Sequence, residues 1–387
     1  MIQEIKNIGH FFETHMWRLV YGMPDRGMHI FGITGTNGKT TTSYILTQIL
    51  EAAYGKEKVG MLTTVAFRIG GVEEANATKM TTLPSRKVFS YLKKMKAAGV
   101  THVVLETTSH ALHQHRLAGI TLAGAIILNI AREHLDYHKT MKHYAAAKGK
   151  IVSLLGPQAP LVGKHDDPLV QTILFGAKQR GVRIVWMKAE DIAAAVTPLP
   201  GSINKENAAA ASLLARAVGI SDEVIVAGIS ACISVPGRME KISTNGFEII
   251  IDYAVTPDAL ERLYKDVKEK TSGRVLALLG AAGLRDRGKR PDMAQAVARY
   301  ADRIVITRED PWTEPEEQIF SDLEEGLKDT TTSWERIVDR KEAIAALLQD
   351  AKPGDTVVVT GKGAERGMAM KDGIIPWNDR EVIEGLL

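Results

Sequence analysis

Two successive α/β domains, each built on a mainly parallel sheet, are what this sequence predicts, and three observations carry the prediction. Short apolar segments alternate with helical ones through most of the chain, the pattern of parallel strands covered by helices. The alternation pauses at the turn residues Val235-Pro236-Gly237-Arg238 and then begins again, which sets a boundary near residue 237, with a cleft expected between the two domains. A glycine-rich stretch, residues 32–42, lies between an apolar segment and a helical one, where strand, loop and helix would present backbone N–H groups to an anion. At 387 residues the chain is also too long for one ordinary core.

Residues 1–27 come first. Ile2, Ile5, Ile8, Phe12, Met16 and Leu19 recur at helical spacing, which predicts an amphipathic helix. Its apolar stripe is expected to pack on the protein's own body or on a second copy, with attachment to a membrane surface as the other reading. Glu4, Lys6 and Glu13 interrupt any apolar run, so neither a secretory signal nor an integral membrane segment is expected. Residues 28–236 form the expected central domain, with strands over 28–34, 103–106 and 124–130 and helices over 38–53 and 144–155. The second series, 237–387, places strands over 247–252, 275–280, 304–307 and 356–360. Helices near 258–270, 293–299 and 341–349 separate them.

Hydrophobic residues make up 45% of the chain and charged residues 25%, the balance of a globular protein. A formal net charge of +3 gives no footprint for nucleic acid, although a mildly basic surface suits an anionic substrate. The single cysteine, Cys232, excludes an intramolecular disulfide framework and fits a reducing cytoplasm. Its neighbours, from Val226 to Ile233, are apolar or small, so it reads as inert packing.

The densest local signal is Gly32-Ile33-Thr34-Gly35-Thr36-Asn37-Gly38-Lys39-Thr40-Thr41-Thr42. Glycines let the backbone approach phosphate oxygens, and successive N–H groups at a helix start form an anion nest. Lys39 is placed on the terminal phosphates and the Thr40 hydroxyl on Mg2+. A glycine turn with a surface lysine is the plainer reading, and the strand–loop–helix context weighs against it. The general pattern puts glycine where Ile33 stands; here the glycine is Gly35. A P-loop-type central domain followed by a Rossmann-like α/β domain is the expected architecture.

Glu106 closes the run Val103-Val104-Leu105, and a carboxylate at the carboxyl end of a strand is well placed for Mg2+. His134, His138 and Lys148 follow. Single histidines are more often satisfied polar or surface residues than ligands. A zinc site of His110, His113 and His115 would lack a cysteine or glutamate partner at recognisable spacing.

Gly35-Thr36-Asn37-Gly38-Lys39-Thr40-Thr41-Thr42 resembles the nucleotide loop of the Mur ligase and folylpolyglutamate synthetase superfamily. Further pieces resemble, in order, the MurE branch, whose members add the third residue of the peptidoglycan stem peptide. They are Thr81-Thr82-Leu83-Pro84, Glu106-Thr107-Thr108-Ser109-His110-Ala111-Leu112, His134-Leu135-Asp136-Tyr137-His138, and Asn204 with Asn207. Pro236-Gly237-Arg238-Met239-Glu240, Asp252-Tyr253-Ala254, Arg285-Asp286-Arg287-Gly288-Lys289-Arg290-Pro291 and Gly361-Lys362-Gly363 continue the series.

The resemblance implies an ATP-dependent cytoplasmic ligase of cell-wall peptide synthesis. Such an enzyme activates an acceptor carboxylate as an acyl-phosphate and joins it to the amine of an amino acid. It further implies that Gly35, Thr36, Asn37, Gly38, Lys39, Thr40 and Thr41 hold ATP, with Asn204 and Asn207 near the adenine and Arg238 and Asp252 as contacts from the far domain. Two Mg2+ ions are implied, with Thr40, Glu106, His134 and Lys148 as ligands. Lys148 would be the lysine that Mur ligases carbamylate, which turns a cation into a metal-holding anion. Thr81, Thr82 and Arg116 would meet the acceptor; Arg285, Asp310 and Glu365 would meet the incoming amino acid.

Four departures from the MurE pattern bear on specificity. The phosphate loop begins about 30 residues in, where the family has a domain for the UDP-sugar, so the acceptor is expected to be smaller, to lack the UDP handle or to bind through a partner. The arginine that grips diaminopimelate is Trp312, in Glu309-Asp310-Pro311-Trp312, and tryptophan cannot pair bidentately with a carboxylate; Asp310 would favour an amine or another polar group. Ala364 and Val255 replace two histidines. The alternatives are a divergent Mur-like ligase of a poly-amino-acid or pseudomurein-type pathway, and a nucleotide-binding partner protein without ligase activity. Lys39, Thr40, Glu106, His134 and Lys148 together argue for turnover. A homodimer or a partner protein through the N-terminal helix is the remaining expectation.

Overall fold

The structure is a computed structural model that describes residues 2–244 and 246–387. It is α/β throughout, as expected, and divides into two units. The first comprises residues up to Ala131, His138–Pro198 and Ile203–Ile233. Its strands are β1 (His29–Thr34), β2 (Val59–Leu62), β3 (Ala66–Ile69), β4 (Val72–Ala75), β5 (His102–Glu106), β6 (Leu122–Ile127), β7 (Pro160–Lys164) and β8 (Arg183–Met187). They form one sheet in the order β4-β3-β2-β5-β1-β6-β7-β8. Pairing is parallel from β2 to β8, and β3 and β4 extend one edge as an antiparallel hairpin.

Register decides where the site forms. On one side of β1, Ile33 lies opposite Glu106 of β5; on the other, Thr34 lies opposite Ile127 of β6. Three strand ends therefore come level, and the phosphate loop leaves from the middle one. Both faces of this sheet are covered, which is why its strands read as unbroken apolar runs. Helix α2 (Lys39–Tyr54) buries Ile45, Leu46, Ile49 and Leu50, and helix α3 (Ser85–Ala97) buries Val88, Phe89, Leu92 and Met95.

Two expected elements end early. The strand expected to reach residue 130 stops at Ile127, because the next residues bond across to the loop: Leu128 N donates to the Thr34 carbonyl and Asn129 O accepts from Thr36 N. The helix expected over 144–155 is an α-helix only over Met141–Gly149 and tightens into a 3-10 turn over Lys150–Leu154, beginning at Gly149 and the β-branched Ile151 and Val152.

Helix α1 (Ile2–Val20) forms, but packing of its apolar stripe on the body is corrected. Asn7 and Thr14 face inward, whereas Ile8, Phe12, Met16 and Leu19 are exposed. Among the described residues, Trp17 alone of its large apolar side chains packs on the core of the first unit, and polar contacts do the rest. The hydroxyls of Thr14 and Ser85 are 2.6 Å apart, and Arg18 donates to both carboxylate oxygens of Asp25 at 3.0 and 3.1 Å. Among the described residues no helix is long and apolar enough to cross a membrane.

The second unit comprises Arg132–Tyr137, Leu199–Ser202 and Ser234–Leu387. Its strands β9 (Glu240–Ser243), β10 (Glu248–Asp252), β11 (Val275–Leu279), β12 (Arg303–Ile306), β13 (Ser333–Arg336) and β14 (Thr356–Thr360) stand in the order β13-β12-β11-β14-β10-β9. Within this sheet β9 alone runs antiparallel to its neighbour, and Met368–Met370 and Gly373–Ile375 form a separate antiparallel pair. Ile250, Ala277, Leu279, Ile304 and Ile306 build a core on one face; Ile249, Ile251, Leu276, Leu278 and Val305 build another on the opposite face. The chain moves outward from β11 to β13 and returns with β14 inserted at β11, which places the switch point of this sheet, and its ligand crevice, at those two strand ends.

The fully buried Arg340 donates to Asp379 at 2.8 and 2.7 Å and to the Thr360 carbonyl at 2.8 Å, tying helices Arg340–Asp350 and Asp379–Glu384 to the end of β14. Asp379→Ala would leave the buried guanidinium without its carboxylate and is expected to lower stability by about 3–5 kcal/mol. The urea midpoint measures this.

Candidate active site

Gly38 is the N-cap of α2 in the left-handed region, φ 84°, and no side chain caps the helix. A helix start without a side-chain cap is suited to an anionic ligand. A Cβ at Gly38 would lie 2.2 Å from the Asn207 side-chain oxygen, so the position requires glycine for space as well as for φ. The loop is braced by side chains of its own unit. Asn129 accepts from Asn37 N at 2.9 Å and donates to the Asn37 carbonyl at 3.1 Å; the Tyr144 hydroxyl lies 3.1 Å from that of Thr36. Lys39 Nζ donates to the Thr36 carbonyl at 2.8 Å, and Thr41 is buried. Asn207 receives the Thr42 hydroxyl at 3.2 Å and donates to Asn204 at 2.9 Å.

Glu106, at 2% exposure, is the centre of a second network. Its carboxylate accepts from the Thr40 hydroxyl at 3.1 Å, the Thr64 amide at 2.9 Å and the Thr64 hydroxyl at 3.0 Å. The Thr64 hydroxyl also reaches Thr81 at 2.9 Å. Thr82 donates to the Glu106 carbonyl at 3.0 Å, and Arg116 donates to the Thr82 carbonyl at 2.8 Å. Thr40, Thr81, Thr82, Glu106 and Arg116 are thus brought together. Thr64 and Asn129 are the residues that sequence reasoning missed: no motif surrounds Thr64, and Asn129 falls within the run expected to be strand, two residues past the observed end of β6 at Ile127.

Lys148 is buried, with Nζ donating to the Gly35 carbonyl at 2.7 Å and lying 4.6 Å from the Tyr144 ring centroid. His134 lies on Arg132–Tyr137, a segment of the second unit, with φ 56°. There Glu133 accepts from Lys289 Nζ at 2.9 and 3.0 Å. The rings of His110 and His113 turn toward His138, at 5.3 and 5.7 Å, whereas His115 turns to Phe11. Burial, then His110 and His113, push His138 down to about 3, so it stays neutral at ordinary pH. Among the described residues no three His, Cys, Asp or Glu side chains could hold a metal ion as a group. The Glu106 carboxylate with the Thr40 hydroxyl is the hard-oxygen donor set that would suit Mg2+. Burial pushes the Cys232 thiol up to about 12, which keeps it unreactive.

In the second unit, Asp252 accepts from Met239 N and Ala254 N, both at 2.7 Å, and Arg238 lies 4.5 Å from the Tyr253 ring centroid. Arg285 is exposed. The fully buried Lys362 donates to Asp310 at 2.7 Å and to Glu365. Asp310 also accepts from Ala369 N at 2.8 Å, and Trp312, with φ 53°, donates its amide to the Ala369 carbonyl.

A nest at a helix start suits the phosphates of a nucleoside triphosphate; in a chain with a second α/β unit, it is the equipment of ligases driven by ATP. Residues 33–196 match the Mur ligase middle domain and residues 237–363 the Mur ligase glutamate ligase domain. The UDP-N-acetylmuramoyl-L-alanyl-D-glutamate–2,6-diaminopimelate ligase of Geobacillus thermodenitrificans is 36% identical over 94% of this chain and 79% of its own. The UDP-N-acetylmuramyl-tripeptide synthetase of a Roseiflexus species is 34% identical over 93% and 78%. A solved diaminopimelate ligase of the same name as the first aligns with TM-score 0.60 and 29% identity, over 93% of this chain and 78% of the other. The chain belongs to the Mur ligase family, and it is an ATP-dependent acid–amino-acid ligase of the MurE type.

Glu309, which precedes Asp310, is buried, and its Oε2 has no hydrogen-bond partner among the described residues. Burial, reinforced by Asp310, pushes this carboxyl up to about 7. An unfolded glutamate releases its proton near ~4.3. The folded state is therefore favoured below that value, and the advantage is lost as pH rises through 7. Glu309→Gln is expected to flatten the loss of stability between about pH 5 and 8. Urea denaturation of both proteins at the two ends of that range checks it; an equal loss in both would contradict it.

Proposed function

We propose that this chain joins an amino acid to the free carboxyl end of a peptide acceptor, with Glu106 and the hydroxyls around it as the meeting point of nucleotide and acceptor. The observation that carries the reading is the continuous network from Thr40 of the phosphate loop through Glu106 and Thr64 to Thr81, with Thr82 and Arg116 branching from it. The α2 N-terminus and Lys39 bind the ATP phosphates, while Asn207 and Asn129 keep the loop open. Arg116 draws in the acceptor carboxylate. That carboxylate attacks the γ-phosphorus and ADP leaves; the resulting acyl-phosphate is then attacked by the amine, which forms the amide and releases phosphate. Thr40, Glu106, His134 and a carbamylated Lys148 would hold Mg2+, which neutralises charge on the transferred phosphoryl group.

Arg238 and Asp252 serve the nucleotide from the second unit, and Arg285 the amino acid's α-carboxylate. Its side chain meets Asp310 and Glu365. Those two carboxylates share one ammonium, Lys362, so the surplus charge is negative and a distal carboxylate is disfavoured. The names of the relatives include diaminopimelate, whose distal carboxylate would find Trp312 in place of an arginine. We read the added amino acid as one without that group.

Lys39→Ala is expected to lower amino-acid-dependent phosphate release from ATP at least about a hundredfold. Lys148→Ala should be as inactive, and short-chain carboxylic acids should partly restore it by replacing the carbamate anion. Near-normal turnover in the Lys39 variant would sink the loop assignment, and failure of every carboxylate would count against carbamylation.

In competition, diaminopimelate is expected to do no better than lysine, which lacks the distal carboxylate. A preference for diaminopimelate of about tenfold or more, roughly 1.4 kcal/mol, would overturn the specificity reading.

A further inference from the structure

Helix α1 turns its aliphatic stripe away from its own domain. Phe12 is 67% exposed and Leu19 64%, with Ile8, Met16 and Val20 exposed beside them. The side that meets the domain carries Asn7, within 3.3 Å of His113, and Thr14, bonded to Ser85. A helix that serves only its own core orients the other way, apolar residues inward.

Packed against α1 is α3, whose sequence SRKVFSYLKKMKA holds Arg86, Lys87, Lys93, Lys94 and Lys96 and no acidic residue. All five bases are exposed. Arg86 lies 5.1 Å from the ring centroid of Trp17 in α1 and Lys93 5.9 Å from that of Tyr21 just after it, two partly buried rings that hold the basic helix against α1. The acid on this part of α1, Glu13, is engaged by Trp17 at 3.2 Å and by His10 at 3.4 Å.

We propose that α1 and α3 together dock this enzyme on the surface of an anionic phospholipid bilayer. α1 lies in the headgroup layer with Ile8, Phe12, Met16 and Leu19 toward the acyl chains, and α3 meets the lipid phosphates. A helix with a wide apolar face and basic neighbours binds such an interface by burying the face and by attraction to anionic lipid. Charge decides against the other occupant. Pairing two α1 stripes across a two-fold axis would bring two basic α3 helices toward each other, whereas an anionic surface turns the same charge into attraction.

The full chain is tested by co-sedimentation with extruded vesicles of phosphatidylcholine alone and of phosphatidylcholine with about 30 mol% phosphatidylglycerol. Binding is expected to the anionic vesicles only. The double variants Phe12→Glu/Leu19→Glu and Lys87→Glu/Lys94→Glu should each weaken it about tenfold or more, and raised salt should weaken it in the parent. These side chains are exposed, and an unchanged melting temperature verifies that the variants remain folded. No binding, equal binding to both vesicles, or indifference to both variant pairs would overturn the proposal. So would light scattering that shows a dimer dissolved by Phe12→Glu in a protein that ignores vesicles, since the stripe would then belong to a second copy.

Discussion

A carboxylate taken out of water costs several kcal/mol unless donors meet it, and Glu106, almost fully buried at the end of β5, is met by Thr40 from the phosphate loop and by Thr64 from the turn after β2. Much of the first unit follows from satisfying that one group. β1 and β2 flank β5 in parallel register, so the loops that leave them bring their threonines to the same place. Thr82 bonds to the Glu106 carbonyl and to the amide of Thr108, which fixes the Thr81–Thr82 side of the same network. The phosphate loop and the Thr81–Thr82 segment are in this way referred to one carboxylate, and a shift of either is felt by the other.

The second unit arranges charge differently. Lys362, Asp310, Glu365 and Glu309 gather at the carboxyl ends of β12 and β14, with more acid than base. Burial holds a proton on Glu309 up to about 7, which relieves part of that excess. Trp312 then adds bulk and apolar surface where a cation would have reversed the sign.

α1 shows how a correct periodicity can carry a wrong inference. Spacing of apolar residues fixes which side chains share a helix face, but it says nothing about which way the face points. The structure anchors the helix by Asn7 and Thr14, whose hydrogen-bonding partners lie far away in sequence, and by Arg18, which pairs with Asp25 just beyond the helix. Aliphatic exposure on a folded surface then calls for an environment outside the domain, and the basic α3 defines its charge.

The sequence by itself determined the α/β class, the phosphate loop, Glu106 at a strand end and membership of the Mur ligase family. Each is written in local patterns of strand, turn and helix, or in short runs whose chemistry needs those residues adjacent. Only the tertiary structure decided that Thr64 and Asn129 belong to the site, that β6 gives up its last residues to brace the loop, and that Asn207 closes on Gly38. It also decided that Lys362 occupies both Asp310 and Glu365. These are contacts between segments far apart in the chain, set by strand register and packing, and no local pattern encodes them. A single sequence records which residues are available; the fold decides which of them meet.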